Sequence, residues 1–181
     1  VLAMALLGPQ QAGLAAAAMV FIQGLLLLPI AVFQRLLRAR MHQWSQEDPS
    51  KLMRVTLRGT LLMIILGVIF SLVIWPFVEI LLDFVFGKQY TDAADFFRIL
   101  LIALPIWFGA ITMNTALVSA RLAVGRLLLQ LLAVGVIVVI SMIGIEGEGL
   151  AWLAWAMLLG QSILLLGAGI LLVVRTRLQP A

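Results

Sequence analysis

Long apolar runs separated by short polar stretches dominate this chain, and the length of the runs decides the class of fold. A hydrocarbon core about 30 Å thick needs roughly 20 apolar residues per helix. Five runs reach that length, and they predict spans at about residues 14–34, 57–85, 96–118, 122–143 and 150–174. The runs are continuous, whereas barrel strands are segments of about ten residues that alternate in polarity. The pattern therefore predicts an all-α, polytopic transmembrane helix bundle.

The start of the chain carries a shorter apolar segment. Residues 1–7 are apolar and are followed by GPQQAG at 8–13, where glycine and proline are typical of a break in the backbone. This start lacks the basic segment and the cleavage site of a signal peptide. We interpret residues 1–7 as the end of a truncated span, the chain as a fragment, and residues 1–181 as a single transmembrane domain.

Turn residues indicate where two helices begin and one ends. In SQEDPSKL, Asp48 is a candidate N-cap and Pro49 occupies the first helical position. In FGKQYTDAADFFRIL, Gly87 is expected to end one helix. We expect Thr91 or Asp92 to cap the next helix, so this polar stretch is predicted to be a turn between spans.

Composition agrees with a membrane protein and excludes several kinds of chemistry. The mean hydropathy is +1.19, and 64% of the residues are hydrophobic against 11% charged. The chain has no cysteine and one histidine, His42, which excludes disulfides, thiol catalysis and multi-histidine metal sites. No phosphate-binding glycine loop, nucleophile–base pair or aspartate-rich metal motif is present in the sequence. We predict no enzymatic activity, no cofactor and no nucleic-acid partner.

Charge is distributed unequally between alternate connections. Ten of the twelve basic residues fall on one set of connections: Arg35, Arg38, Arg40, Lys51, Arg54, Arg58, Arg121, Arg126, Arg175 and Arg177. The other set holds most of the acidic residues: Glu79, Asp83, Asp92, Asp95, Glu146 and Glu148. Cytoplasmic loops carry an excess of lysine and arginine. The basic connections and the C-terminus are therefore predicted to be cytoplasmic, with the acidic connections outside.

Three charged residues lie near the predicted outer ends of the second and third spans, and two roles are open for each of them. Glu79 and Asp83 are four residues apart on one helix face, just after Pro76, which is expected to kink the span. They are either a carboxylate pair facing an aqueous cavity, suited to ion coupling, or an interfacial pair exposed to water. Arg98 either pairs with Glu79 or Asp83 across the hairpin, or contacts an anion from a lumen.

Polar side chains within the spans and beside them are candidates for packing or for substrate contact. Asn114 stands in a cluster of small polar residues, and Gln23, Gln130 and Gln161 lie within other spans. Such groups commonly hydrogen-bond between helices in lipid. The basic stretch 35–58 is either an interfacial segment or an electrostatic funnel for an anionic head group.

The polar turn between the second and third spans resembles a known family. Phe86, Gly87 and Tyr90, with Ala93 or Ala94, match the F-G-x-x-Y-x-x-A element of bacterial polysaccharide export proteins. These proteins are the lipid-linked oligosaccharide flippases of the multidrug/oligosaccharidyl-lipid/polysaccharide (MOP) exporter superfamily. Further short matches follow in the same order: LLGPQQAGLAAAAM at the start, QEDPSKLMRVTLRG in the cytoplasmic linker, and IEGEGLAWLAWAM before the last span.

The resemblance implies a function and a set of site residues. It implies that the chain is the C-terminal lobe, helices eight to twelve plus the end of helix seven, of a two-lobe flippase in the bacterial cytoplasmic membrane. The cargo would be an undecaprenyl-pyrophosphate-linked glycan, moved outward by alternating access against the missing N-terminal lobe. The first full span would line the cavity, which makes Gln23 and Gln34 candidates for substrate binding together with Asn114. Arg35 and Arg38 would meet the pyrophosphate.

Other functions remain open at this point. A cation-coupled drug or metabolite exporter of the same superfamily would give Glu79 a coupling role. A membrane glycosyltransferase would need a large outer loop, and the outer connections here are short. A structural or assembly subunit needs no site at all.

Overall fold

The chain is a bundle of long helices. A computed structural model describes the backbone of residues 2–119, 122–148 and 150–178, and their side chains except those of 2–10, 38, 49, 119, 145–148 and 176–178. The α-helices are α1 (Leu2–Pro29), α2 (Arg38–Glu47), α3 (Pro49–Ile74), α4 (Val78–Phe86), α5 (Ala94–Ser119), α6 (Ala123–Glu148) and α7 (Leu150–Leu178). The described residues contain no β-strand, so the predicted all-α class is confirmed.

Among the described residues, five helical segments are long and apolar enough to cross a membrane. They cover Gln11–Leu37, Ser50–Phe86, Lys88–Val118, Ala123–Gly144 and Leu150–Arg175. Each coincides with one of the predicted spans. The largest differences are at the starts of the second and third spans, where the helical segments take in the mixed polar stretches 50–56 and 88–95, which hydropathy alone places outside the helix.

The N-terminal segment differs from the prediction. α1 runs without interruption from Leu2 to Pro29, so residues 2–7 are not separated from the first full span by the GPQQAG segment. Glycine and proline are tolerated within transmembrane helices because neighbouring groups satisfy the backbone atoms that they free. The backbone of residues 2–7 therefore belongs to the same helix as the first span, and residue 1 lies outside the described residues.

The start of α3 is capped as the sequence predicts. The carboxylate of Asp48 accepts hydrogen bonds from the Lys51 amide at 2.9 Å and from the Ser50 hydroxyl at 2.6 Å. Pro49 occupies the first turn, where a missing N–H costs nothing. The Ser50 hydroxyl, followed by the Lys51 amide, lowers the pKa of Asp48 because both stabilise the charged carboxylate.

Two further turns separate helices within and between the spans. Pro76 lies in a single 3₁₀ turn, Trp75–Phe77, that interrupts the α-helix at the place where the sequence predicts a kink. Gly87 ends α4 with φ +94°, a conformation that favours glycine, and its amide bonds the Asp83 carbonyl.

The predicted cap of the following helix is wrong. The Thr91 hydroxyl donates to the Lys88 carbonyl at 2.8 Å, within a 3₁₀ turn that covers Lys88–Ala93. That turn takes up Thr91 and Asp92, so α5 starts later than expected, at Ala94.

The third span, in α5, is the centre of the bundle. In its most apolar window 67% of the residues are buried, against 11% in α6. α1, α3 and α7 pack against α5, and α6 packs mainly against α7. The approach of α3 to α5 is close, because a Cβ on Gly67 would lie 2.6 Å from the Cα of Pro105. Ser71 also links these helices by donating to the Leu101 carbonyl at 2.6 Å.

Two apolar clusters show that the helices alternate in direction. One cluster joins the middle of α1 to α4, the first half of α5 and the start of α7, through residues such as Ile22, Leu82, Phe97 and Ala154. The other joins the π-helical end of the first span to α2, the start of α3 and the second halves of α5 and α7, through Phe33, Met41, Leu52, Leu117 and Leu172. We call the first the acidic end, after Glu79, Asp83 and Asp95, and the second the basic end, after Arg35, Arg54, Arg58 and Arg126.

Candidate functional site

The exposed face of the first span mixes polar and small residues with aliphatic ones. Ala16, Val20, Gln23 and Leu27 are exposed at helical spacing, and Gln34 follows one repeat later, also exposed. Gln23 lies near the middle of the span, where a hydrogen-bonding amide is costly to leave in lipid.

The exposed faces of two other spans have a different character. Every exposed residue of α3 between 61 and 73 is leucine, isoleucine or valine. The exposed residues of α6 between 127 and 143 are likewise apolar. Such faces suit contact with lipid tails, whereas the face of the first span suits contact with water, a polar ligand or another helical unit.

A π-helical segment, which is wider than an α-helix, determines the position of Gln34. After Pro29 the first span becomes π-helical over Ile30–Leu37, a conformation that is rare and frequent at functional sites. The ring of Phe33 is buried over Gly59, where a Cβ would lie 2.6 Å from the ring. This contact fixes the π-helical turn against α3 and leaves the next residue, Gln34, at the edge of a cavity.

The cavity lies at the basic end and has a volume of about 150 Å³. It is partly enclosed and mostly polar, and it is lined by Gln34, Asn114, Thr115, Val118 and Arg126. The first span, α5 and the first turn of α6 each contribute to it. Two residues predicted for substrate binding, Gln34 and Asn114, are thus brought together.

Two polar atoms at this cavity lack hydrogen-bond partners among the described residues. The side-chain amide of Asn114 donates to the Ala110 carbonyl at 2.9 Å, while its Oδ1 is buried and unpaired. Nε of Arg126 is also buried and unpaired. One is an acceptor and the other a donor, but both atoms are closed off from a water-sized probe, so they lie behind the surface of the cavity.

The acidic end carries an ion pair between helices. The guanidinium of Arg98 contacts Glu79 at 2.7 Å across the hairpin and Asp95 at 3.1 Å within its own helix. The Glu79 side chain is 62% exposed, and Asp83 is exposed without joining the pair. Of the two predicted partners of Arg98, the structure brings Glu79 to it. A carboxylate held by a guanidinium is suited to fixing two helices together.

The residues of the family-like motif form the turn that follows α4. The rings of Phe86 and Tyr90 lie 5.6 Å apart with an angle of 46° between their planes, and Gly87 supplies the reversal between them. The F-G-x-x-Y spacing is therefore explained by packing: the two rings contact each other across the turn at Gly87.

The remaining predicted residues are placed as follows. Gln23 shares the exposed face of the first span with Gln34 but lies more than two helical turns from it. Arg35 is exposed at the basic end, and the side chain of Arg38 lies outside the described residues. Arg126 was not predicted as a site residue, because its place in a basic connection is already explained by membrane topology.

Comparison of the chain with protein-family models, with curated proteins and with solved structures gives no match. The resemblance of the F-G-x-x-Y turn is therefore an expectation from the sequence, and the site is defined by the geometry of its own residues.

Proposed function

We propose that this chain is one helical lobe of a membrane transporter that flips a lipid-linked oligosaccharide across the cytoplasmic membrane by alternating access. The cargo in this proposal is carried on undecaprenyl pyrophosphate. The observation that carries it is the exposed face of the first span, where Gln23 and Gln34 stand among small and aliphatic residues.

A glutamine exposed near the middle of a span has a clear use in such a transporter. The glycan must pass a core about 30 Å thick without losing all of its hydrogen bonds. The Gln23 amide supplies a donor and an acceptor at that depth, Gln34 supplies them near the end of the span, and a second helical lobe packed opposite would keep lipid out. The apolar faces of α3 and α6 then remain for the surrounding lipid.

The basic end supplies a place for the pyrophosphate. Arg35 is exposed beside Gln34, and Arg126 lines the neighbouring cavity. Arginine binds phosphate oxygens through charge-assisted hydrogen bonds. Under the positive-inside rule this end faces the cytoplasm, where the lipid-linked precursor would enter.

Complementation tests the proposal. The complete gene would be expressed in a strain that is defective in glycan export, and surface glycan would be measured for wild type, Gln23→Leu and Gln130→Leu. Gln130 lies on α6 and gives the same chemical change in another span. We expect Gln23→Leu to reduce export roughly two- to tenfold, the effect of losing one hydrogen bond, while Gln130→Leu exports as wild type does at equal membrane abundance.

Other outcomes would point to the other functions. Normal surface glycan without the gene, together with drug sensitivity, would replace the flippase by a drug or metabolite exporter. In that case Glu79→Gln should abolish activity. Export that requires the gene but is unchanged in all polar variants would identify a structural subunit.

A further inference from the structure

An apolar groove runs along the bundle between α3 and α7, with α5 as its floor. Both helices pack closely on α5 but hardly on each other. The groove has a volume of about 460 Å³ and is lined by Thr60, Ile64, Met113, Leu165, Leu166, Gly169, Ile170, Val173 and Val174. Thr60 is the one polar side chain in this lining, and its hydroxyl oxygen is buried. An apolar space of this kind does not hold water, so its occupant is apolar as well.

The groove is closed near the middle of the membrane-spanning segments. At Gly109 of α5, an added Cβ would lie 3.0 Å from the Ile64 side chain and 3.1 Å from that of Leu165. The side chains of α3 and α7 therefore meet over α5 at this level. Leu165 lies close to the midpoint of the span Leu150–Arg175.

The groove opens toward the basic end. A Cβ on Gly169, about one turn after Leu165, would have no neighbour within 4 Å, and Val173 and Val174 beyond it are exposed. From Leu165 to Val174 the helix rises by about 14 Å. This is close to half of a hydrocarbon core about 30 Å thick. The groove therefore has the depth of one leaflet.

Basic residues lie at the level where the groove opens. On α3, Arg54 and Arg58 are exposed within the two turns before Thr60. On α7, Arg175 directly follows Val174. Arginine near the membrane surface attracts anionic lipids. A lipid that enters the groove from this end is therefore bound more tightly if its head group is negatively charged.

We propose that this groove binds one acyl chain of an anionic phospholipid from the leaflet at the basic end. The chain lies between α3 and α7 with its end against Ile64 and Leu165, and the head group stays at the level of the arginines. An acyl chain ends at the middle of the bilayer, as the groove does, whereas a membrane-spanning helix of a partner would continue across it. This binding goes beyond the transport proposed above, since a lipid occupies the groove whether or not a glycan moves.

Native mass spectrometry of the complete protein in detergent tests the groove. Phosphatidylglycerol and phosphatidylcholine with the same acyl chains are added separately, and the bound lipids are counted. Gly169→Leu places a side chain in the groove. Gly135→Leu is the matched control, because its Cβ would also have no neighbour within 4 Å but lies on the exposed face of α6. A double variant, Arg54→Gln with Arg58→Gln, removes two charges at the open end.

We expect one phosphatidylglycerol to bind wild type and Gly135→Leu more tightly than any further lipid does, and Gly169→Leu to lose this tight binding. Wild type should also bind phosphatidylglycerol more tightly than phosphatidylcholine. The double arginine variant should lose most of this preference, since each charge near the membrane surface contributes roughly fivefold.

Several results would overturn the proposal. Unchanged binding in Gly169→Leu would place the lipid elsewhere, and equal loss in Gly135→Leu would indicate a general effect of the added side chain. A dimer that Gly169→Leu converts to a monomer would assign the groove to a second copy of the chain. If Gly169→Leu does not fold, the double arginine variant decides, because an unchanged preference for phosphatidylglycerol would contradict the site. None of these results depends on glycan export.

Discussion

Arg98 connects two helices at the acidic end by holding Glu79 at 2.7 Å and Asp95 at 3.1 Å. Both carboxylates are exposed, so water weakens the attraction between the charges. Exposed ion pairs typically contribute little to stability. The contact therefore serves mainly to orient α4 against α5.

A double-mutant cycle on Glu79→Ala and Arg98→Ala measures this contribution. We expect a coupling energy of roughly 0.2–1 kcal/mol, obtained from unfolding of the purified protein in detergent. Glu79→Gln should also leave transport intact, because the pair is structural. A coupling of several kcal/mol, or loss of transport in Glu79→Gln, would show that the pair is shielded from water or takes part in ion coupling.

Single residues differ in how well the sequence predicts their role. Gln34 and Asn114 are conspicuous because amides are rare in apolar runs, and both line the cavity. Arg126 cannot be recognised as a site residue from the sequence, since membrane topology already explains a basic residue at the start of a span. What distinguishes it, a buried Nε without a partner, depends on contacts between helices that are far apart in the chain.

Among the elements, α3 and α5 make the closest contact, at Gly67 and Pro105. The Cβ of an alanine at Gly67 would meet backbone at 2.6 Å, which is not able to move aside as a flexible side chain would. The absence of a side chain at Gly67 thus sets the distance between the two helices.

Gly67→Ala should destabilise the bundle by about 1–3 kcal/mol, as overpacking does. Gly135→Ala is the matched control, because its Cβ would find no neighbour within 4 Å. That control should be neutral or slightly stabilising, since alanine favours helix over glycine by roughly 1 kcal/mol. Unfolding of both variants in the same detergent provides the comparison, and equal stability would contradict the close contact.

The start of α3 should depend on pH through Asp48. Its pKa in the folded state lies below the ordinary value of 3.8, because the Ser50 hydroxyl and the Lys51 amide bond the carboxylate. The stabilisation is therefore complete above that ordinary value and is lost as the pH falls through the lower, folded pKa.

Asp48→Asn isolates this effect, because asparagine also caps helices but does not titrate. We expect the midpoint of thermal unfolding of wild type to fall more steeply than that of Asp48→Asn as the medium is acidified below about pH 4. Parallel curves for the two proteins would show that the Asp48 cap does not contribute.

The boundaries of a helix are predictable where one local rule determines them. The prediction fails where two rules compete. Asp48 and Pro49 begin α3 as expected, since capping depends on adjacent residues. The GPQQAG segment was expected to break the helix, but α1 continues through it, since glycine and proline are tolerated within transmembrane helices. At Thr91 the hydroxyl bonds back to Lys88, and a 3₁₀ turn replaces the expected cap.

At the scale of the whole molecule, the helices alternate so that the basic connections share one end. This arrangement follows from five spans and short connections, and the charge pattern in the sequence indicates it independently. The class of fold and the order of the spans were therefore predictable. The sequence did not predict which face of each helix packs against other helices. Apolar residues serve both for contact with lipid and for packing between helices.

Labelling tests the alternation in a membrane. The chain has no cysteine, so single cysteines placed at Gln46 and Gln89 are the only reactive thiols. Gln46 lies in α2 at the basic end, and Gln89 lies in the turn after α4. A membrane-impermeant thiol reagent should reach Gln89→Cys from outside intact cells and Gln46→Cys only after permeabilisation. Labelling of both from one side would contradict the up-and-down bundle.

The central claim is that the exposed face of the first span borders water or a polar cargo and not lipid. Its most direct test is the reactivity of Gln23→Cys toward a charged, water-soluble thiol reagent in the complete protein in membranes. Leu132→Cys, on the apolar exposed face of α6, is the control near the middle of another span. We expect rapid modification of Gln23→Cys and little modification of Leu132→Cys, whereas equal protection of the two would show that the face of the first span is not open to water.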